Sequence, residues 1–244
     1  MKIIYLFVSL VFLSCMEDPL EPVNSQEFDE MEDQDTTKND NPLEDLTYLA
    51  LGDSYTIGES VEESKRWPVQ LVEDLRSAGV EISDPQIIAR TGWTTNELIG
   101  AIDASNIQQP YDLVSLLIGV NNQYRGYPIS QQEEEFEKLL KMAIEYAGGD
   151  KNRVFVVSIP DYGVTPFGQS RGPEKIAKEI DAYNALNKSI ADTYEVRYFD
   201  ITPISREAIN KPEYVANDGL HPSAEMYDAW VGLMYPKVRE MFPE

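Results

Sequence analysis

Apolar residues follow two rhythms along this chain. Continuous apolar runs at 47–51, 86–89, 113–118, 154–159 and 196–200 are four to six residues long and predict buried strands. Between them, apolar residues return every three or four positions and predict amphipathic helices. Leu71, Val72 and Leu75 share a face of 68–78, and Leu98, Ile99 and Ile102 share one of 94–104. Phe136, Leu139, Leu140, Ala143 and Ile144 do so over 130–147. Ile176, Ile180, Tyr183, Leu186, Asn187 and Ile190 mark 173–194, and Tyr227, Trp230, Val231, Met234 and Val238 mark 223–241. Pro68 suits a first helical position, and Gly79 and the Gly148-Gly149 pair suit helix ends.

Apolar strands alternating with helices predict an α/β fold. A mainly parallel five-stranded sheet in flavodoxin-like order is covered on both faces, giving a three-layer α/β/α sandwich. Ligands of such sheets bind beyond the carboxyl ends of the strands. Neither Gly-x-Gly-x-x-Gly nor a Gly-Lys-Ser/Thr phosphate loop is present, so the usual nucleotide cradle is missing.

The beginning of the chain reads differently. Lys2 precedes an apolar run too short to span a bilayer, the pattern of a signal peptide over 1–15. It ends in Phe12-Leu13-Ser14-Cys15, which resembles a bacterial lipobox relaxed at its first position. Cys15 is then the lipidation site and the anchor to a membrane; a plain signal peptide, or a buried element of the fold, is the plainer reading. Residues 16–45 carry twelve acids against Lys38 and lack apolar periodicity, which predicts a solvated tether. They lack the glycine and closing glutamate of an EF-hand loop. Residues 46–244 remain as the folded domain. These features together predict an exported, lipid-anchored protein of the bacterial envelope, in the periplasm or on the outer-membrane surface.

Charge and composition narrow the chemistry. The 244 residues carry 20 Lys and Arg against 43 Asp and Glu, a net −23. Such a surface repels phosphate backbones, so nucleic acid is not an expected partner. Cys15 and His221 are the sole residues of their kinds, which excludes an intrachain disulfide and a zinc site built from Cys and His. No metal or cofactor is expected, and the protein is expected to be a monomer.

Four polar clusters fall at the sheet edge where ligands gather. Gly52-Asp53-Ser54 follows the first strand, Thr91-Gly92-Trp93 the second and Gly119-Val120-Asn121-Asn122 the third; Asp218-Gly219-Leu220-His221 precedes the last helix. A serine hydroxyl needs a base, and His221 is the only histidine available. Asp218, three residues earlier, is placed to hold the far nitrogen of the ring. The Ser54 and Gly92 N–H groups and the Asn121 amide are candidate oxyanion donors. Taken singly, Gly-Asp-Ser is a common turn, Gly92 a turn glycine, Asn121 a cap, Asp218-Gly219 a plain turn and His221 a surface histidine. Their order and their position at strand ends argue for a site.

These blocks resemble the SGNH, or GDSL, hydrolases from the first strand to the last helix. The resemblance implies a serine esterase, lipase or acyltransferase without a metal. Ser54 is then the nucleophile, His221 the base, Asp218 its partner, and Ser54, Gly92 and Asn121 the oxyanion hole, with Gly100 a nearby alternative to Gly92. Asp53 is expected to be structural. The Arg66-Trp67-Pro68 helix start is also similar to that of ester-cleaving members. Asn122 departs from the family, which has Asp there; that position is usually structural, so the change bears on how the loop around Tyr124 is held. Trp93, Tyr124 and Tyr162 are candidate substrate contacts, and Tyr127 and Phe167 lie in similar loops. Residues 160–173 read as a long loop, either a lid or merely mobile. The expected function is cleavage of a small-molecule, glycan or lipid carboxylic ester through an acyl-Ser54 intermediate, with carbohydrate O-acetylesterase and lysophospholipase among the forms. The alternatives are an inactive ligand-binding envelope lipoprotein on the same fold, a flavodoxin-like cofactor binder and a purely structural lipoprotein.

Overall fold

The computed structural model describes residues 45–107 and 110–242. The signal-peptide, Cys15 and tether readings lie outside the described residues. Chain order runs β1 (Tyr48–Gly52), α1 (Ser54–Ile57), α2 (Trp67–Ser77), β2 (Gln86–Ala89), α3 (Thr95–Ala104), β3 (Leu113–Leu117), α4 (Val120–Tyr124), α5 (Ile129–Tyr146), β4 (Val154–Val157), α6 (Pro166–Gln169), α7 (Pro173–Thr193), β5 (Arg197–Phe199), α8 (Thr202–Arg206) and α9 (Ala224–Arg239), with 3-10 turns between them. The sheet order is β2-β1-β3-β4-β5 and every pairing is parallel, as the alternation of elements predicts.

Period-two alternation sends each strand's side chains to opposite cores. Tyr48, Ala50, Leu113, Leu117, Phe155 and Val157 face the cluster built by α2 and α9, which includes Trp67, Leu71, Leu75, Trp230 and Val238. Leu49, Leu51, Val114, Leu116, Val154 and Val156 face α3 and α5, through Leu98, Ile102, Phe136, Leu139 and Leu140. Each fully buried leucine or valine contributes roughly 1.5–3 kcal/mol by leaving water. Helix α7 serves both layers, with Ile176 and Ile180 in the first cluster and Ile190 and Ala191 in the second.

Helix starts are set chemically. Thr94 and Glu97 form a capping box on α3, and the Thr94 N–H donates to Glu97 Oε2 at 2.8 Å. Ser223 caps α9 by accepting from the Met226 N–H.

Apart from shifts of one residue at other strand ends, the structure differs from the sequence reading at two places. The fourth strand stops at Val157 rather than 159. There Ile159 gives its N–H to Asn184 Oδ1 and its carbonyl accepts from Asn184 Nδ2, so a side-chain amide replaces the neighbouring strand. The 160–173 segment is not an open loop. It holds a 3-10 turn (Tyr162–Val164) and α6, with Asp161 Oδ1 accepting from Gly163 N–H and Asp161 Oδ2 bound to Arg206 at 2.9 Å. Among the described residues no helix is long and apolar enough to cross a membrane.

Candidate active site

Strand β1 ends on a glycine for a steric reason. A Cβ on Gly52 would stand 2.5 Å from the Leu117 carbonyl oxygen of β3 and 2.1 Å from Thr56 Oγ1. The strand therefore turns at once into α1, a single helical turn that begins with Ser54 at the sheet edge. Asp53 caps it, with Oδ1 accepting from Tyr55 N–H at 3.0 Å. The Asp53 carbonyl takes the Thr56 and Ile57 N–H groups. Three amides of the turn are thus tied back to Asp53, and the Ser54 N–H is not among them. Asp53 is fully buried and its Oδ2 has no partner among the described residues. Burial pushes its carboxyl up to about 7, against the pull of backbone hydrogen bonds. Its structural role is as the sequence reading has it.

Asp218 and His221 meet within one turn. Asp218 Oδ1 accepts from the Leu220 and His221 N–H groups at 2.9 and 3.0 Å, and Oδ2 lies 2.5 Å from His221 Nδ1. Burial alone raises the Asp218 carboxyl, but the hydrogen bonds from His221, Leu220 and Ser60 outweigh it and hold it at about 2. The carboxylate is therefore ionised near neutrality and can only accept. Nδ1 must carry the ring hydrogen, which leaves Nε2 as the basic nitrogen. Tyr55 sets its ring edge against the imidazole at 5.7 Å.

Ser54, Gly92, Asn121 and His221 all line one cavity of about 160 Å³. Gly92 has a φ of +88°, which favours glycine, and nothing but the tip of Arg125 lies within 4 Å of where its Cβ would be. Gly100, the other candidate, sits exposed inside α3, so Gly92 is the glycine at the cavity. Asn121 Nδ2 donates to the Trp93 carbonyl at 2.9 Å. An amide nitrogen carries two hydrogens, so one remains for a ligand. Arg125, which no motif marks, donates from Nη2 to the Gly92 carbonyl at 2.6 Å and pairs with Glu97 at 3.3 Å. The 92–93 backbone is thereby held at two successive carbonyls.

The opposite wall is aromatic. Tyr124, Tyr162 and Phe167 border the cavity with ring centroids 6.1–6.3 Å apart. Tyr124 is 52% exposed, whereas Tyr162 is buried and its hydroxyl is pushed up, chiefly by burial. The Phe167 N–H donates to the Gly219 carbonyl at 2.9 Å, joining this wall to the turn that carries His221. Trp93 does not line this cavity. It packs, half-buried, against the α3–α5 core cluster, and its carbonyl accepts from Asn121, so it is not among the residues lining the cavity where the sequence reading expects a substrate contact. Tyr127 is also elsewhere; its carbonyl accepts from Tyr183 OH.

Asn122 is buried and holds α4 to the start of α3. Its Oδ1 accepts from Thr95 N–H at 2.9 Å and its Nδ2 donates to Thr95 Oγ1 at 2.6 Å. Thr95 in turn gives its hydroxyl hydrogen to Glu135. That relay needs a donor at position 122, which an ionised Asp lacks. A larger hollow of about 610 Å³ lies at the opposite end of the sheet, where Lys151 pairs with Glu195 and Arg153 with Asp150. It contains no nucleophile beside a base.

Known proteins resemble this chain in sequence and in fold. A curated arylesterase from Vibrio mimicus is 26% identical over 180 residues, covering 72% of this chain and 80% of that protein. The structure of the psychrotrophic esterase EstA from Pseudoalteromonas sp. superposes with a TM-score of 0.61 at 18% identity, over 80% of this chain and 98% of that one. The lipase/acylhydrolase from Enterococcus faecalis gives 0.61 at 19% identity, over 80% and 96%. The sequence model of the GDSL-like lipase/acylhydrolase family matches residues 50–229, which contain every block of the cavity's polar wall. With its parallel α/β/α sandwich and that match, the chain belongs to the GDSL-like lipase/acylhydrolase family and is a carboxylic ester hydrolase of the SGNH type.

Proposed function

We propose that the protein cleaves small, short-acyl carboxylic esters through an acyl-Ser54 intermediate. The observation that carries this reading is the shared cavity. Ser54 and the His221 ring border it together, and Asp218 holds the ring by Nδ1 with Nε2 left basic. Ser54 Oγ attacks the carbonyl carbon and its proton passes to Nε2. The tetrahedral oxyanion is met by the Ser54 and Gly92 N–H groups and the free hydrogen of Asn121 Nδ2. Collapse expels the alcohol, which leaves with the proton from Nε2. Water then attacks the acyl group, again giving a proton to Nε2. The second collapse releases the acid and returns that proton to Ser54.

Cavity size and lining support the substrate class. About 160 Å³ is close to the volume that takes a single aromatic ring, so a short acyl chain or one ring fits and a long acyl chain is not enclosed. Three rings on one wall suit a flat aryl alcohol, and the Vibrio mimicus relative is named an arylesterase. Aryl esters therefore rank ahead of sugar O-acetyl esters, and lysophospholipids come last. A net charge of −23 disfavours strongly anionic substrates.

A panel of p-nitrophenyl, naphthyl, acetyl-sugar and lysophospholipid esters tests this reading beside fluorophosphonate titration. Stoichiometric labelling with a preference for short aryl esters supports it. An unlabelled, inert protein sinks it and favours a ligand-binding role on the same fold. The same reading extends to location: the 1–15 pattern supports export and anchorage through Cys15. Cys15→Ala should move the protein from the membrane fraction to the soluble fraction; an unchanged membrane fraction would overturn the anchor.

A further inference from the structure

The Asp218 carboxylate has a donor that belongs to neither its own turn nor the histidine. Ser60 Oγ donates to Oδ2 at 2.8 Å, the same oxygen that receives His221 Nδ1. With the Leu220 and His221 amides on Oδ1, both oxygens of the carboxylate take two donors. Ser60 is 158 residues away in sequence, on the turn that leaves the helix begun by Ser54. The contact links the segment carrying the hydroxyl to the segment carrying the imidazole.

Backbone geometry singles out the same residue. Ser60 has a φ of +67°, and Glu195 is the only other non-glycine with positive φ among the described residues. That region is disfavoured for an L-residue, and glycine occupies it at less cost. A strained backbone persists where its side chain is needed. The described partner of the Ser60 hydroxyl is Asp218.

We propose that Ser60 is a positioning residue, whose hydroxyl locks the Asp218 carboxylate so that His221 is held with Nε2 toward Ser54. The proposal rests on the Ser54–His221–Asp218 reading. Asp218 is partly open to water, its side chain 30% exposed. Without Ser60, Oδ2 loses one of its two donors, and the carboxylate is steered by the two Oδ1 amides and the ring alone. Serine also withdraws charge from Oδ2, so its removal leaves a more negative oxygen facing the ring and favours the imidazolium. Other groups bearing on this pair are Tyr55 against the ring, Tyr227 from α9, and Asp53, Glu59 and Arg66 around Tyr227.

Glycine is the informative substitution, because it fits the backbone and lacks the hydroxyl. The full chain is assayed as wild type, Ser60→Gly, Ser60→Asn and Ser54→Ala, with p-nitrophenyl acetate between about pH 5 and 9, beside thermal unfolding. Ser60→Gly should melt at or above the wild-type temperature while kcat falls about tenfold and KM stays within about twofold. The acid limb of its rate profile should move up by about half a pH unit. Ser60→Asn restores a donor on a residue that tolerates this φ, and should recover part of the rate. Wild-type kcat and profile in Ser60→Gly would overturn the positioning role while leaving the nucleophile reading intact. So would a rate loss that only follows a lower melting temperature. A wild type no faster than Ser54→Ala would overturn the triad reading itself.

Discussion

The two walls of the cavity are built on opposite principles. On the polar wall each group is tied to backbone or to a charge: Ser54 heads a turn cinched by Asp53, Asn121 is fixed to the Trp93 carbonyl and His221 to Asp218. On the aromatic wall Tyr124, Tyr162 and Phe167 lean on one another, and Tyr124 is half open to solvent. Oxyanion and proton chemistry depends on fractions of an ångström, so its groups are preorganised. Apolar contact with a leaving group is non-directional and tolerates looseness. On the proposed reading, the difference places rate in the first wall and selectivity in the second.

Substitutions can break that division. Ser54→Ala or His221→Ala should each remove nearly all ester turnover, on the order of 10⁴-fold or more, in a p-nitrophenyl acetate assay. Asn121→Ala should lower kcat by about 10²–10³-fold with little change in KM, read from full saturation curves. Arg125→Ala releases the Gly92 carbonyl and should lower kcat about five- to tenfold, an effect on rate from a residue that does not line the cavity. Tyr124→Ala should leave kcat for acetyl esters nearly unchanged and shift KM between aryl and alkyl alcohols about two- to fivefold. A large kcat loss in Tyr124→Ala would erase the distinction between the walls.

The smallest effect concerns stability. Asp53 is raised by burial from 3.8 to about 7, so the folded state keeps a proton that the unfolded chain loses between those values. Its contribution to stability is fully present below about pH 4 and is lost as pH rises through about 7. Asp53→Asn should flatten that decline; urea midpoints measured between about pH 5 and 8 decide it.

Legibility in the sequence divides along the same line. Ser54, Asn121, Asp218 and His221 stand in short blocks at the ends of periodic segments, where local order and the parallel-sheet rule suffice to gather them. Strand order was readable for the same reason, since crossovers leave few ways to lay five strands. The packing of Trp93 against α3 and α5 is not legible in the sequence, because an indole beside a site glycine looks like a ligand contact and its burial depends on tertiary packing. Arg125 and Ser60 reach the site through hydrogen bonds spanning 33 and 158 residues, from loops with neither periodicity nor motif. The departure at Asn122 was visible, but its reason needed the Thr95–Glu135 relay.

One hydrogen bond, from the Phe167 amide to the Gly219 carbonyl, restricts how this enzyme can change its diet. Adding or deleting residues between 160 and 173 would tug on the peptide two positions before the imidazole. Broader or narrower tastes are therefore reached by exchanging rings in place, and variants that remodel the length of that segment should lose turnover before they gain a new ester.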